Sequence, residues 1–214
     1  MKAFNRILGV VVMFSVVVIF VVGVQHGTAK PNMEECNPQE MGRLESAMWR
    51  SYYDRQWPQL VGLTFEGACG QFGFSWWDAA RLSLYAGRAA MFFRDKTDDP
   101  RCEPALVKYF AIVRKSTDRD FDIHKASELE LGWWKARRRS VAPRDYAKLI
   151  AQQASLITGA PEEELLPACR IRTEAMAYLE SRPGGKMTDS DWQEISRKLN
   201  LAYVGMRAAA AEGL

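Results

Sequence analysis

Two glutamates sit where a carboxylate is costly. Met41, Glu45, Met48, Trp49 and Tyr52 recur at the spacing of one helix face. Glu130, Trp133, Trp134 and Arg137, continued backward through Ala126 and Ile123, do the same further along. Aromatic side chains turn inward because each buries a large apolar area. An acid on such a stripe must therefore be paired, protonated or metal-bound, since an isolated buried carboxylate is expensive. Ion pairing is the leading reading, with Arg50, Arg81, Arg88, Arg137 and Arg138 as partners; bidentate contacts of this kind fix helix register. The second is a carboxylate metal site, and the third is general acid catalysis by a glutamate whose pKa burial has raised. Glu45 and Glu130 are accordingly the catalytic candidates.

For a metal, His124 and Glu128 lie one helical turn apart. Di-iron bundles, however, use Glu-x-x-His on two helices, and the other histidine here is His26. The spacing calls for no cofactor. Trp133, Trp134, Arg137, Arg138 and Arg139 form the binding candidate. The basic run closes a helix, where positive charge meets the negative helix end. It also suits anionic headgroups, wall polymer or an acidic partner. Cys36, Cys69, Cys102 and Cys169 contain no Cys-x-x-Cys, which argues against zinc and thioredoxin-like redox sites. In an oxidising compartment they are disulfide candidates, with three possible pairings and four buried free thiols as the alternative.

Other chemistries lack their motifs. No Gly-rich phosphate loop, Gly-x-Ser-x-Gly, His-Glu-x-x-His or Cys-x-x-Cys-His occurs. Glu45-Ser46 matches the Glu-Ser pair of lytic transglycosylases, but the Gly-Leu-Met-Gln segment that accompanies it there is missing.

The elements that must position these residues read as helices. Asn37-Pro38-Gln39-Glu40 opens a helix running to about Gln56, where Trp57-Pro58 interrupts. A shorter one follows over Gln59 to Ala68. Ser75-Trp76-Trp77-Asp78 caps a helix to about Arg94, and Pro104 starts one reaching Lys115. Asp120 or Asp122 caps the next, ending near Arg139. Pro143 opens a helix ending at Thr158-Gly159, and Pro161-Glu162-Glu163-Glu164 begins another, which Pro167 should kink or restart. Arg182-Pro183-Gly184-Gly185 stops it, and Thr188-Asp189-Ser190-Asp191 caps the last. Ala79, Ala80, Ser83, Ala86, Gly87, Ala89 and Ala90 allow close approach and predict a central helix there. The fold class is all-α, an N-terminal membrane or signal helix followed by one bundle-like domain of seven or eight helices.

Residues 7–24 are apolar apart from Ser15, and 18 residues make about 27 Å of helix. That is close to a bilayer core and longer than a signal-peptide apolar stretch. The division is thus 1–29, signal-anchor or signal peptide, and 30–214, exported helical domain. Lys2 and Arg6 precede the run, which predicts a single pass through a bacterial inner membrane, N-terminus cytoplasmic and domain periplasmic. Cleavage near Ala29 would instead release it. Without Lys2 and Arg6, 27 basic residues face 26 acidic ones, too even a balance for a nucleic-acid binder. The expected partners are the bilayer, through residues 7–24, and a protein at or near the membrane. The expected function is a membrane-tethered or secreted binding, scaffold or accessory module. The alternative is an exported enzyme with a buried carboxylate, with or without metal, at Glu45 and Glu130.

Overall fold

The computed structural model describes residues 31, 35–181 and 187–212. The membrane or signal helix expected over 7–24, the cleavage position near Ala29 and His26 lie outside the described residues. Among the described residues there are eight helices and no strand. They are α1 (Pro38–Tyr53), α2 (Trp57–Gly70), α3 (Trp76–Asp95), α4 (Cys102–Thr117), α5 (Ile123–Arg138), α6 (Pro143–Thr158), α7 (Glu162–Glu180) and α8 (Asp189–Glu212). No helix among them is long and apolar enough to cross a membrane.

Local chemistry sets the starts. Asn37 Oδ1 accepts from the backbone N–H of Gln39 and Glu40, and Asp122 Oδ1 does the same for His124 and Lys125. Thr188 Oγ1 accepts from Asp191 N–H while Asp191 Oδ2 accepts from Thr188 N–H, a reciprocal cap. Pro58 and Pro143 occupy first turns, where the missing N–H costs nothing. The break expected at Trp57-Pro58 falls just before it, at residues 54–56, and Trp57 and Pro58 open α2. Pro167 neither restarts nor ends α7, which runs through it.

Connections of three to eight residues make successive helices antiparallel. Each described helix packs mainly on its two chain neighbours, and α8 returns to α1 in the most extensive contact among these helices. The eight helices thus form a closed ring. Gly42 makes the closure possible: a Cβ there would lie 2.7 Å from the Asn200 backbone nitrogen and 2.8 Å from the Ser196 carbonyl oxygen. Among the described residues no helix is central, which corrects the expectation for the small residues of α3. They serve close packing between neighbours instead; a Cβ on Gly87 would meet Val61 Cγ2 at 2.8 Å. Buried apolar residues fall into separate groups between adjacent helices, such as Phe93, Leu106 and Phe110 on one side and Tyr146, Leu165 and Met176 on the other.

The cysteines are free thiols, not disulfides. Cys36 packs with Met41 and Leu44, Cys69 and Cys102 belong to a different apolar group, and Cys169 lies against Leu165 and Met176. Cys69 ends α2 while Cys102 begins α4, which places them toward opposite ends of the ring. Burial pushes Cys102 and Cys169 up to about 11, so both remain protonated thiols.

Candidate functional site

The ring encloses a chamber of about 1010 Å³ to which all eight helices contribute side chains. Its upper size matches ligand cavities, which run to roughly 1,000 Å³. Except for Arg207, its solvent-exposed lining residues gather at one end: Tyr53, Arg55, Arg138, Ser140 and Glu180. This end, built from the C-termini of α1, α3, α5 and α7, is the mouth.

A polar seam crosses the chamber at mid-depth. Glu45 is 5% exposed. Its Oε1 accepts from Arg172 Nε at 2.9 Å and Nη2 at 2.5 Å, and its Oε2 accepts from the Tyr203 hydroxyl at 2.8 Å. The guanidinium of Arg172 also stands 5.3 Å over the Trp133 ring. Glu45 is therefore an ion-paired carboxylate tying α1 to α7 and α8. The sequence had offered it five arginines, none of them Arg172.

Glu130 has no such partner. It lies within electrostatic reach of Arg172, which Glu45 already engages, and near the Gln153 amide and the indoles of Trp133 and Trp134. Burial outweighs these and raises its pKa. Gln153 spends a donor on the Ala126 carbonyl at 3.0 Å. Trp133, 7% exposed, buries its Nε1 with no acceptor within hydrogen-bonding distance. Tyr109 lines the same region, and burial beside Glu130 holds its phenol well above the ordinary range.

The mouth carries arginines. Arg137 donates to Glu180 Oε1 at 2.7 Å and to the Tyr53 hydroxyl at 2.8 Å. Arg94 and Arg138 meet at Tyr52: Arg94 Nη1 donates to its carbonyl at 3.2 Å and Arg138 Nη2 to its hydroxyl at 3.4 Å. Of the sequence-derived binding candidates, Trp133, Trp134, Arg137 and Arg138 line the chamber, whereas Arg139 caps α5 on the exposed surface. His124 and Glu128 stand on the outside, with Glu128 bonded to Lys125 at 3.0 Å. Among the described residues, no three His, Cys, Asp or Glu side chains come together as a metal site would need.

Arg172, Tyr203, Gln153 and Tyr109 are the site residues that the sequence reading missed. Their signal was present in the spacing. Leu165, Cys169, Arg172 and Met176 share a face of α7, and Leu199, Tyr203 and Met206 share one of α8. No family model, curated protein or solved structure matches this chain.

Proposed function

We propose that this chain is an exported helical binding module, tethered through residues 7–24, whose central chamber holds a small ligand. One observation carries the reading: a chamber of about 1010 Å³, walled by aromatic side chains and crossed by a polar seam. Protein interiors are otherwise close-packed, and voids larger than a water molecule are few. A chamber of this size forfeits dispersion contacts on every wall, a loss that a bound molecule restores. Convergent polar groups in an apolar cavity are the usual form of a ligand site. The exposed Leu201 and Val204 on the outer face of α8 offer an apolar contact for a protein partner near the membrane.

The test is uptake of the neutral dye Nile red by the full-length protein in lipid nanodiscs, with empty discs subtracted. Saturable uptake is expected, and it should fall in Ala90→Trp, which places an indole into the chamber. Uptake no greater than that of empty discs, or unchanged in Ala90→Trp, would end the proposal.

A second reading is favoured by Glu130 alone. A carboxyl whose pKa burial raises, in a chamber beside a charged arginine, is the kind of group that general acid catalysis uses. If the chamber is catalytic, Glu130→Gln removes turnover while dye uptake survives.

A further inference from the structure

The outer wall of the ring carries side chains that neither the chamber nor the core uses. Trp77, 65% exposed, and Leu84, 50% exposed, are the two most exposed large apolar side chains among the described residues. They stand seven residues apart on α3, two helical turns, and so share one outward face. Arg81 and Arg88 are exposed on the same line, one turn after each of them. An indole left in water forgoes the apolar burial that usually turns tryptophan inward. The charge around this face is basic. Arg81 reaches Asp78 only at 3.9 Å, and Asp78 also accepts from the Ser75 hydroxyl at 2.9 Å. Arg88, and Lys108 on the adjacent α4, form no ion pair among the described residues. Lys108 instead stands 5.6 Å over the Tyr85 ring. Asp95 and Glu103 lie at the mouth end of α3 and α4, and Glu66 of α2 is held by Arg43 at 2.6 Å. Four helices further round, which in a ring of eight is the opposite side, α7 turns Glu163, Glu164 and Glu174 to the solvent against Arg170.

Granted the tether through residues 7–24, we propose that the α3 wall rests on an anionic lipid surface, with Trp77 and Leu84 in the headgroup layer and Arg81, Arg88 and Lys108 on lipid phosphates. Apolar and basic side chains combined on one helix are the composition of interfacial segments, and tryptophan is enriched at headgroup depth. An anionic leaflet attracts the basic wall and repels the acids of α7 to the far side. Chain length brings the two within reach. A Cβ on Gly73, four residues ahead of Trp77, would lie 4.0 Å from the Cα of Pro31. From Val24 to Pro31 the extended chain spans at most about 25 Å. A bilayer crossed by residues 7–24 therefore ends within that distance of the foot of α3. Tethering also raises the effective concentration of lipid at the wall, so the wall needs little affinity of its own.

The experiment is quenching of tryptophan emission by lipids brominated in the upper acyl chain, with the full-length protein in nanodiscs of phosphatidylcholine alone or mixed with phosphatidylglycerol. Residues 1–30 hold no tryptophan, so the emission reports the helical domain. Quenching is expected in the mixed brominated discs. It should be lost in Trp77→Phe, in Arg81→Gln/Arg88→Gln/Lys108→Gln, and at about 1 M salt, where the Debye length is about 3 Å. The substituted side chains are all exposed, so melting temperatures should stay at the wild-type value. No quenching in the mixed discs, or the same quenching in Trp77→Phe, overturns the lipid face. Quenching that survives the charge substitutions and high salt overturns the anionic partner. Release of the protein from membranes by alkaline carbonate removes the tether itself. The same quenching, read on that protein added to brominated anionic vesicles, then still decides the lipid face.

Discussion

Glu45 and Glu130 occupy comparable sequence settings and different electrostatic ones. Glu45 owns the guanidinium of Arg172, so Arg172→Gln strands a carboxylate that is 6% exposed at its side chain. Loss of about 3–5 kcal/mol is expected by urea denaturation, against about 1 kcal/mol for Tyr203→Phe, which removes one hydrogen bond. Glu130 behaves in the opposite sense. Its folded pKa is raised above the ordinary 4.5, so the folded state binds its proton more tightly than the unfolded state does. Stability is therefore lost as pH rises from the ordinary carboxylate value through the raised one. Glu130→Gln should raise the melting temperature at neutral pH, and the gain should disappear below the ordinary carboxylate range. A melting temperature that falls at neutral pH would show Glu130 to be a structural anion. The aromatic stripes made both acids legible as facing inward, Glu45 buried and Glu130 partly so. They could not show which arginine would serve which acid, because periodicity names a helix face and says nothing of what stands across the ring.

Four helix starts were legible because caps are local: Asn37, Ser75, Pro143 and Thr188 act within four residues of themselves, whereas α2 and α4, which have no side-chain cap, begin two residues ahead of the expected Gln59 and Pro104. Two ends were not. Arg55 and Ser140 take left-handed φ values of 59° and 55° without being glycine. After α5, Ser140 N–H bonds the Arg137 carbonyl and Val141 N–H the Ala136 carbonyl, a Schellman termination. Arg55 and Gln56 close α1 in the same way through Tyr52 and Ser51. With no glycine to mark the end, α1 read as continuing to Gln56. Ser140→Gly should stabilise the protein by about 1 kcal/mol in thermal or urea unfolding, since glycine takes this conformation freely. The glycines of α1 and α2 should split in sign. Gly42→Ala drives a methyl into the α8 backbone and should cost about 1–3 kcal/mol. Gly62→Ala, with nothing within 4 Å of the new Cβ, should gain about 1 kcal/mol of helix propensity.

At the level of the molecule, the helix count and the all-helical class were legible, whereas the closed ring was not. Amphipathic stripes and short loops are compatible with a filled bundle and with a hollow one. The contact of α1 with α8 depends on residues more than a hundred positions apart, such as Ser46 Oγ donating to the Trp192 carbonyl at 3.1 Å. Deleting α8 should uncover Leu44, Ala175 and Leu179 together, and take Tyr203 from Glu45. The remaining chain is expected to lose its near-ultraviolet dichroism and its cooperative melt while keeping helical far-ultraviolet signal. A sharp melt after deletion would show that the ring is not one cooperative unit.

An even number of antiparallel staves has a geometric consequence for orientation. The chain leaves the ring at the rim where it entered, and Arg207 Nη1 near the exit donates to the carbonyl of Cys36 at the entrance, 3.3 Å away. Both ends of the described chain therefore meet at one rim, and the arginine-lined mouth stands at the far end of the helices from them.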